Sequence, residues 1–138
     1  MKTIVLISCG KTKHHSRTKA RELYRGDLFK KSMSYAETLN PENIYILSAK
    51  HGLVCLDDEL DPYEQTLSKM PIAARREWSR HVTAKLEIVT NIADDHFVLL
   101  SGDMYRRYLV SNLIHYSVPM EGLPFGKQLS WLGSRADV

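Results

Sequence analysis

The chain has little of several features that mark specialised classes of protein. Only 2 of its 138 residues are cysteines, Cys9 and Cys55, which is too few for the disulfide framework of a small secreted domain. No apolar run is long enough to span a membrane, and the run at residues 4–7 is also too short for a signal peptide. We therefore expect free thiols, no membrane contact, a cytoplasmic location and one domain over residues 1–138.

The motifs of the common nucleotide-binding folds are also missing. No G-x-G-x-x-G fingerprint occurs. Residues 10–12 read Gly-Lys-Thr, like the end of a phosphate-binding loop, but that loop requires a glycine where this chain has Val5. The cysteines and histidines show neither C-x-x-C nor H-x-x-x-H spacing, so we expect no metal site and no cofactor.

Charge is present but unevenly distributed in a chain whose formal net charge is +3. Residues 11–31 are rich in lysine and arginine, whereas residues 57–64 are mostly acidic. The basic stretch is either a solvated helix face or a surface for phosphate, with Lys11 and Lys13 as candidate contacts. The partner expected for such a surface is nucleic acid, DNA or tRNA, or a nucleotide.

Three apolar runs alternate with helical patterns along the chain. The runs cover residues 4–7, 44–47 and 97–100, and they have the composition of buried strands. Apolar residues recur with helical spacing over residues 19–39, with a break near Gly26, and over 72–92, 104–114 and 127–132. This alternation predicts an α/β fold: a single small domain with a three- or four-stranded, mainly parallel sheet flanked by helices.

Each predicted strand ends in small or reactive residues. Ser8 and Cys9 follow the first strand, Ser48 with Lys50 and His51 follows the second, and Ser101 with Asp103 and Tyr105 follows the third. Ligands of parallel sheets bind beyond the carboxyl ends of the strands. We therefore expect these side chains to lie along one edge of the sheet and to form a site.

These residues are suited to acid–base and nucleophilic chemistry. A thiol at Cys9 is either a nucleophile or a small packing residue at the strand end. His51 is a candidate general acid or base, and Lys50 a candidate stabiliser of negative charge. Asp103 is a candidate second base, although a carboxylate there also suits the start of a helix.

A turn at residues 61–64, Asp-Pro-Tyr-Glu, adds candidate contacts for a nucleobase. Tyr63 is expected to stack on a base, and Glu64 to accept hydrogen bonds from the N–H groups on the edge of a base. The alternative is an ordinary acidic surface turn.

Several of these segments together resemble one known family. Residues 24–27 read Tyr-Arg-Gly-Asp, which matches a Y/F-x-G-D element, and the strand ends match in order and spacing. The segments that carry the match are 4–11, 24–27, 46–54, 61–63 and 101–105. In these features the chain resembles a compact, largely uncharacterised branch of the YaaA-like superfamily. The resemblance implies a link to DNA and to modified nucleobases.

A second similarity concerns residues 8–16. Cys9 and Lys13 have the spacing of the Cys and Lys in the Pro-Cys-x-x-x-Lys-Pro-Tyr-x-x-Ser motif of archaeosine synthase, which acts on a 7-deazaguanine base in tRNA. Ser16 follows three residues after Lys13, where the motif has its Ser five residues on, and the motif's prolines and tyrosine are missing. This similarity implies an enzyme that modifies or hydrolyses a nucleobase, in nucleic acid or in a nucleotide. The alternatives are base excision like that of a DNA glycosylase, and a non-catalytic DNA- or nucleotide-binding module.

Overall fold

A computed structural model describes residues 1–11 and 13–136 of the chain. Its strands are β1 (Thr3–Ser8), β2 (Thr18–Lys19), β3 (Asn43–Ser48), β4 (Gly52–Cys55), β5 (Glu59–Leu60), β6 (His96–Leu100) and β7 (His115–Ser117). Its α-helices are α1 (Ala20–Leu23), α2 (Asp27–Thr38), α3 (Ile72–Val89), α4 (Asp103–Arg106) and α5 (Phe125–Ala136). Two 3-10 turns cover Leu67–Lys69 and Val110–Asn112. Thr12, the last residue of the Gly-Lys-Thr tripeptide, lies outside the described residues.

The main sheet has five strands in the order β4-β3-β1-β6-β7. β1 runs parallel to β3 and β6, β6 runs parallel to β7, and only β4 is antiparallel to its neighbour. The predicted α/β class with a mainly parallel sheet is confirmed. The sheet has more strands than the three or four predicted. The two edge strands give a weak sequence signal, because both are short, β4 follows a tight turn, and β7 has no apolar run.

Helices cover both faces of this sheet, because the central strands are buried on both sides. Alternate side chains of a strand point to opposite faces. Ile4 and Leu6 of β1 pack in a cluster with Trp78 of α3, whereas Val5 and Ile7 pack in a second cluster with residues of α1, α2 and α5. The result is a three-layer α/β/α arrangement around β1.

The helix predictions are confirmed for some segments and wrong for others. The predicted break near Gly26 is confirmed, since α1 ends at Leu23 and α2 begins at Asp27. The single helix predicted over residues 104–114 is wrong. The chain there forms one α-helical turn and a 3-10 turn, because it bends to bury Leu109 and Leu113 before entering β7.

Within the described part of the chain, no helix is both long and apolar enough to cross a membrane. The longest, α3, has 18 residues, of which Trp78, Val82 and Leu86 form the buried face. Its exposed side carries charged residues as well as Ile72 and Ile88 near its ends, and α3 covers one side of the sheet.

Candidate functional site

The carboxyl ends of β1, β3 and β6 meet at one edge of the sheet. Ser8 pairs with Leu47 of β3, and Ile7 pairs with Leu100 of β6. The residues that follow these pairs therefore lie side by side, and the Cys9 N–H donates a hydrogen bond to the Leu47 carbonyl at 3.0 Å. The predicted convergence of the strand ends is confirmed by this register.

The Cys9 thiol faces the hydroxyl of Tyr105. Cys9 Sγ and Tyr105 Oη are 3.3 Å apart, and either group can be the donor. Burial raises the pKa of Tyr105, and the nearby Cys9 sulfur adds to this shift, so the tyrosine keeps its proton. The indole of Trp78 packs edge-on against the Tyr105 ring with centroids 5.7 Å apart. Tyr105 is thus held in a fixed orientation next to the thiol.

A chain of buried hydroxyls lies beside this thiol. Tyr63 Oη is 2.6 Å from Tyr24 Oη and 2.7 Å from Ser48 Oγ. Burial raises the pKa of Tyr24 to about 12. Burial also raises the pKa of Tyr63, and the nearby Cys9 sulfur raises it further. Ser48 Oγ in addition accepts the His51 N–H at 3.1 Å. These groups therefore stay neutral and fix one another in position.

Lys13 brings a cation to the same place. Its Nζ lies 4.4 Å from the ring centroid of Tyr63 and 5.8 Å from that of Tyr24, within the range of cation–π contacts. Burial lowers the pKa of Lys13, while its electrostatic interactions with Cys9 and Glu64 act to raise it. A β-bridge to Tyr24 holds Lys13 in this position.

Lys50 and His51 occupy the outer side of Tyr63. Both are exposed in the turn between β3 and β4. The His51 ring packs edge-on against Tyr63 at 5.5 Å, and Lys50 Nζ lies 6.0 Å from the Tyr63 centroid. Partial burial and the Lys50 charge lower the pKa of His51, which favours its neutral form.

A cavity of about 310 Å³ opens at this edge of the sheet, bordered by the strand ends, α2 and α5. Ser8, Cys9, Lys11 and Ser101 line it, so four of the predicted site residues border one cavity. The Ser101 hydroxyl oxygen is buried and has no hydrogen-bond partner among the described residues.

Smaller depressions adjoin this cavity on its basic side. One of about 200 Å³ is lined by Cys9, Tyr105 and residues 65–68, and another of about 210 Å³ is lined by Lys13, Tyr63 and Glu64. Lys11 borders all three spaces. A ligand that extends from the main cavity towards solvent would therefore pass Lys11.

Some predicted site residues have different surroundings from those expected. Tyr63 is only 9% exposed, so it lacks the open ring face that stacking on a base requires. Ser48 is 0% exposed, and its hydroxyl is engaged with Tyr63 and His51. Asp103 is exposed and forms an ion pair with Arg107. These contacts favour positioning roles for Tyr63 and Ser48.

The cavity also has lining residues that the sequence analysis did not assign to a site. They include Asp27 and Phe29 of α2, and Phe125 and Gln128 of α5. Asp27 belongs to the Tyr-Arg-Gly-Asp element at residues 24–27, so the family resemblance already marked this position in the sequence. No local pattern places α5 here, because its contact with α2 joins segments nearly a hundred residues apart.

Within residues 1–11 and 13–136, no three His, Cys, Asp or Glu side chains come together in a way that could hold a metal ion.

The chain matches the model of DUF6884, a family of unknown function, over residues 4–134, and it therefore belongs to that family. No curated protein matches the chain. The resemblances to the YaaA-like superfamily and to archaeosine synthase remain predictions.

Proposed function

We propose that this member of DUF6884 is an enzyme that acts on a nucleobase, in nucleic acid or in a nucleotide, with Cys9 as its nucleophile. The observation that carries the proposal is the position of Cys9. It lies on the wall of the 310 Å³ cavity, with its sulfur 3.3 Å from the Tyr105 hydroxyl. Convergent polar groups around a concave pocket are typical of an active site.

The proposed chemistry is addition of the Cys9 sulfur to an electrophilic carbon of the base. The thiol first gives its proton to the neutral amine of Lys13, a form that the lowered pKa of Lys13 favours. The sulfur forms a bond to that carbon, and an electron pair of its multiple bond moves to the attached nitrogen or oxygen. The Lys13 ammonium then supplies a proton to that atom, for which its lowered pKa makes it suited. Tyr105 orients the sulfur, and the hydroxyl chain through Tyr63 keeps Lys13 in reach.

Modification or hydrolysis of a 7-deazaguanine-type base fits this chemistry and rests on the resemblance to archaeosine synthase. Base excision of the glycosylase kind receives less support, because its candidate base Asp103 is tied to Arg107. Lys50 and His51 retain the roles of charge stabiliser and general acid or base as proposals. Their exposed position beside Tyr63 suits proton exchange with solvent.

A non-catalytic binding module is the second candidate, and one observation favours it. Lys11, Lys13, His14 and His15 line a shallow groove together with Tyr63 and Glu64. A basic groove of this kind suits the phosphates of a nucleic acid whether or not chemistry follows.

Mass spectrometry of nucleosides separates the two candidates. DNA and tRNA from a host that makes 7-deazaguanine bases are incubated with wild type, Cys9→Ser and Cys55→Ser. Cys55 is an exposed cysteine on β4 and serves as the matched control. We expect altered nucleosides with wild type and Cys55→Ser only. Full activity in Cys9→Ser would refute the nucleophile, and salt-sensitive binding without any product would favour the binding module.

A further inference from the structure

The 310 Å³ cavity contains three glycines that the fold itself does not require. A Cβ built on Gly10, Gly26 or Gly102 meets no atom within 4 Å, so packing does not exclude a side chain. None of the three has a positive φ; φ is −67° at Gly26 and −72° at Gly102, values that any residue adopts. What the three share is that they line one cavity, where side chains would reduce the open space.

A buried polar atom in the same wall also lacks a partner. The Ser101 hydroxyl oxygen is inaccessible and unbonded among the described residues. Leaving a buried hydroxyl unsatisfied costs about 1–3 kcal/mol, so such groups call for an explanation. Ser101 lines the cavity, so a molecule bound there would satisfy the hydroxyl once the side chain rotates towards it. The same molecule would explain the open glycine positions.

The apolar walls of the cavity suit a flat ring. They are formed by Leu28, Phe29, Leu100, Met120 and Phe125. Phe29 is buried, whereas Phe125 is 61% exposed although it is a large aromatic residue. An exposed phenyl ring that borders a cavity is suited to stacking on a heteroaromatic ligand.

Asp27 of α2 and Gln128 of α5 supply hydrogen-bond acceptors to the cavity, and the Ser32 hydroxyl, which can donate or accept, also lines it. Asp27 begins α2, is exposed at the mouth of the cavity, and forms no ion pair with any described residue. Gln128 donates from Nε2 to the Leu123 carbonyl at 2.7 Å, which leaves its Oε1 as an acceptor. A carboxylate accepts two parallel N–H bonds, so this side of the cavity suits a ligand edge with adjacent N–H donors.

We propose that this cavity binds a guanine-type base, with the N1–H and 2-amino groups on Asp27 and the ring against Phe125. The assignment rests on the proposed function and specifies its substrate class. Guanine has two adjacent donors on one edge, hypoxanthine lacks the 2-amino group, and adenine has an acceptor at N1. The phosphate of a bound nucleotide then extends past Lys11 towards solvent.

Calorimetric titration of the full chain with GMP, IMP and AMP tests this assignment. We expect GMP to bind and IMP to bind roughly 10- to 100-fold more weakly, since one hydrogen bond to a charged group is lost. In Asp27→Asn, GMP affinity falls by a similar factor and the difference between GMP and IMP disappears. Equal affinities for GMP and IMP in wild type, or no GMP binding at millimolar concentration, would overturn the assignment.

A second variant tests the cavity itself. The φ of Gly102 suits valine, so Gly102→Val fills the cavity without backbone strain, and we expect it to abolish GMP binding. Gly126→Ala is the control, because its Cβ also meets nothing and it does not line the cavity. Thermal melting verifies that both variants fold. GMP binding to folded Gly102→Val as in wild type would place the ligand elsewhere.

The two proposals fail in different ways. Asp27-dependent GMP binding without any nucleoside product supports the base pocket and contradicts the enzyme. Cys9-dependent product formation with an unchanged KM in Asp27→Asn supports the enzyme and contradicts the base pocket.

Discussion

At the scale of single residues, Tyr63 links the candidate site to the core. Its hydroxyl joins those of Tyr24 and Ser48, and its ring lies next to the Lys13 ammonium. A residue with so many buried partners contributes to both stability and the geometry of the site. Its effect on each can be measured separately.

We expect Tyr63→Phe to destabilise the protein by about 1–3 kcal/mol. The change leaves the buried hydroxyls of Tyr24 and Ser48 without their shared partner, while the ring that packs beside Lys13 remains. Urea unfolding followed by tryptophan fluorescence measures the loss. Tyr35→Phe, at a partly exposed ring that packs on Trp131, is the matched control and is expected to change stability by less than about 0.5 kcal/mol. Equal losses in both variants would contradict the role given to the hydroxyl chain.

The tyrosines also predict how stability depends on pH. Burial raises the pKa of Tyr24 to about 12, above its ordinary value of 10.0, so the folded chain holds this proton more tightly than the unfolded chain. The resulting stabilisation is fully present below pH 10 and is lost as pH rises from 10 to 12. The loss is up to about 1.4 kcal/mol per pH unit for one tyrosine. Urea midpoints at pH 8 to 11 measure it, and the alkaline decline should be shallower in Tyr24→Phe. An identical decline in both proteins would show that Tyr24 is not its source.

At the scale of elements, the hairpin from β3 to β4 holds the turn that carries Lys50 and His51. The turn closes at Gly52, whose φ of +74° favours glycine. A Cβ at this position would also lie 2.9 Å from Cδ2 of His81 on α3. The hairpin and α3 therefore approach each other closely at this point.

We expect Gly52→Ala to destabilise the protein by more than Gly122→Ala. Both positions have a positive φ, which costs a residue with a Cβ roughly 1–2 kcal/mol, but only Gly52 has a neighbour within 4 Å. Thermal melting of the two variants measures the difference. Adding His81→Ala to Gly52→Ala should remove the excess. If the excess persists in that double variant, contact with His81 is not its cause.

At the scale of the whole molecule, positive charge collects beside the carboxyl edge of the sheet. Lys11 and Lys13 border the groove with His14 and His15, whereas Arg17 is paired with Asp61 at 3.2 Å. Lys11 and Lys13 form no ion pair with any residue that the structure describes, and they are therefore the main candidates for phosphate contacts, ahead of Arg17.

We expect the chain to bind duplex DNA with an affinity that falls as salt concentration rises. The logarithmic slope is about 0.9 per phosphate contact, so Lys11→Ala and Lys13→Ala should each lower it by about that amount. Fluorescence anisotropy of a labelled duplex over a range of salt concentrations measures the slope. Lys2→Ala is the control, because Lys2 lies at the opposite edge of the sheet beside Glu42. Absence of binding at low salt, or an equal effect of Lys2→Ala, would contradict a basic surface at this edge.

The sequence by itself determined the layers of the molecule and one side of its site. Continuous apolar runs such as residues 4–7 specify strands buried on both faces, and parallel pairing then brings Cys9 and Ser101 to the same edge. These features follow from local periodicity and from the direction of the strands. The resemblance in residues 24–27 also pointed to Asp27 without assigning it a role.

Only the tertiary structure decided which side chains are open and which are enclosed. From the sequence, Tyr63 is expected to be an exposed aromatic residue in an acidic turn. In the structure its hydroxyl bonds to Tyr24, just after α1, and to Ser48 at the end of β3, and the ring is buried. Phe125 and Gln128 join the cavity because α5 packs on α2, a contact between segments distant in the chain. Such contacts depend on the packing of whole elements, which no short stretch of sequence encodes.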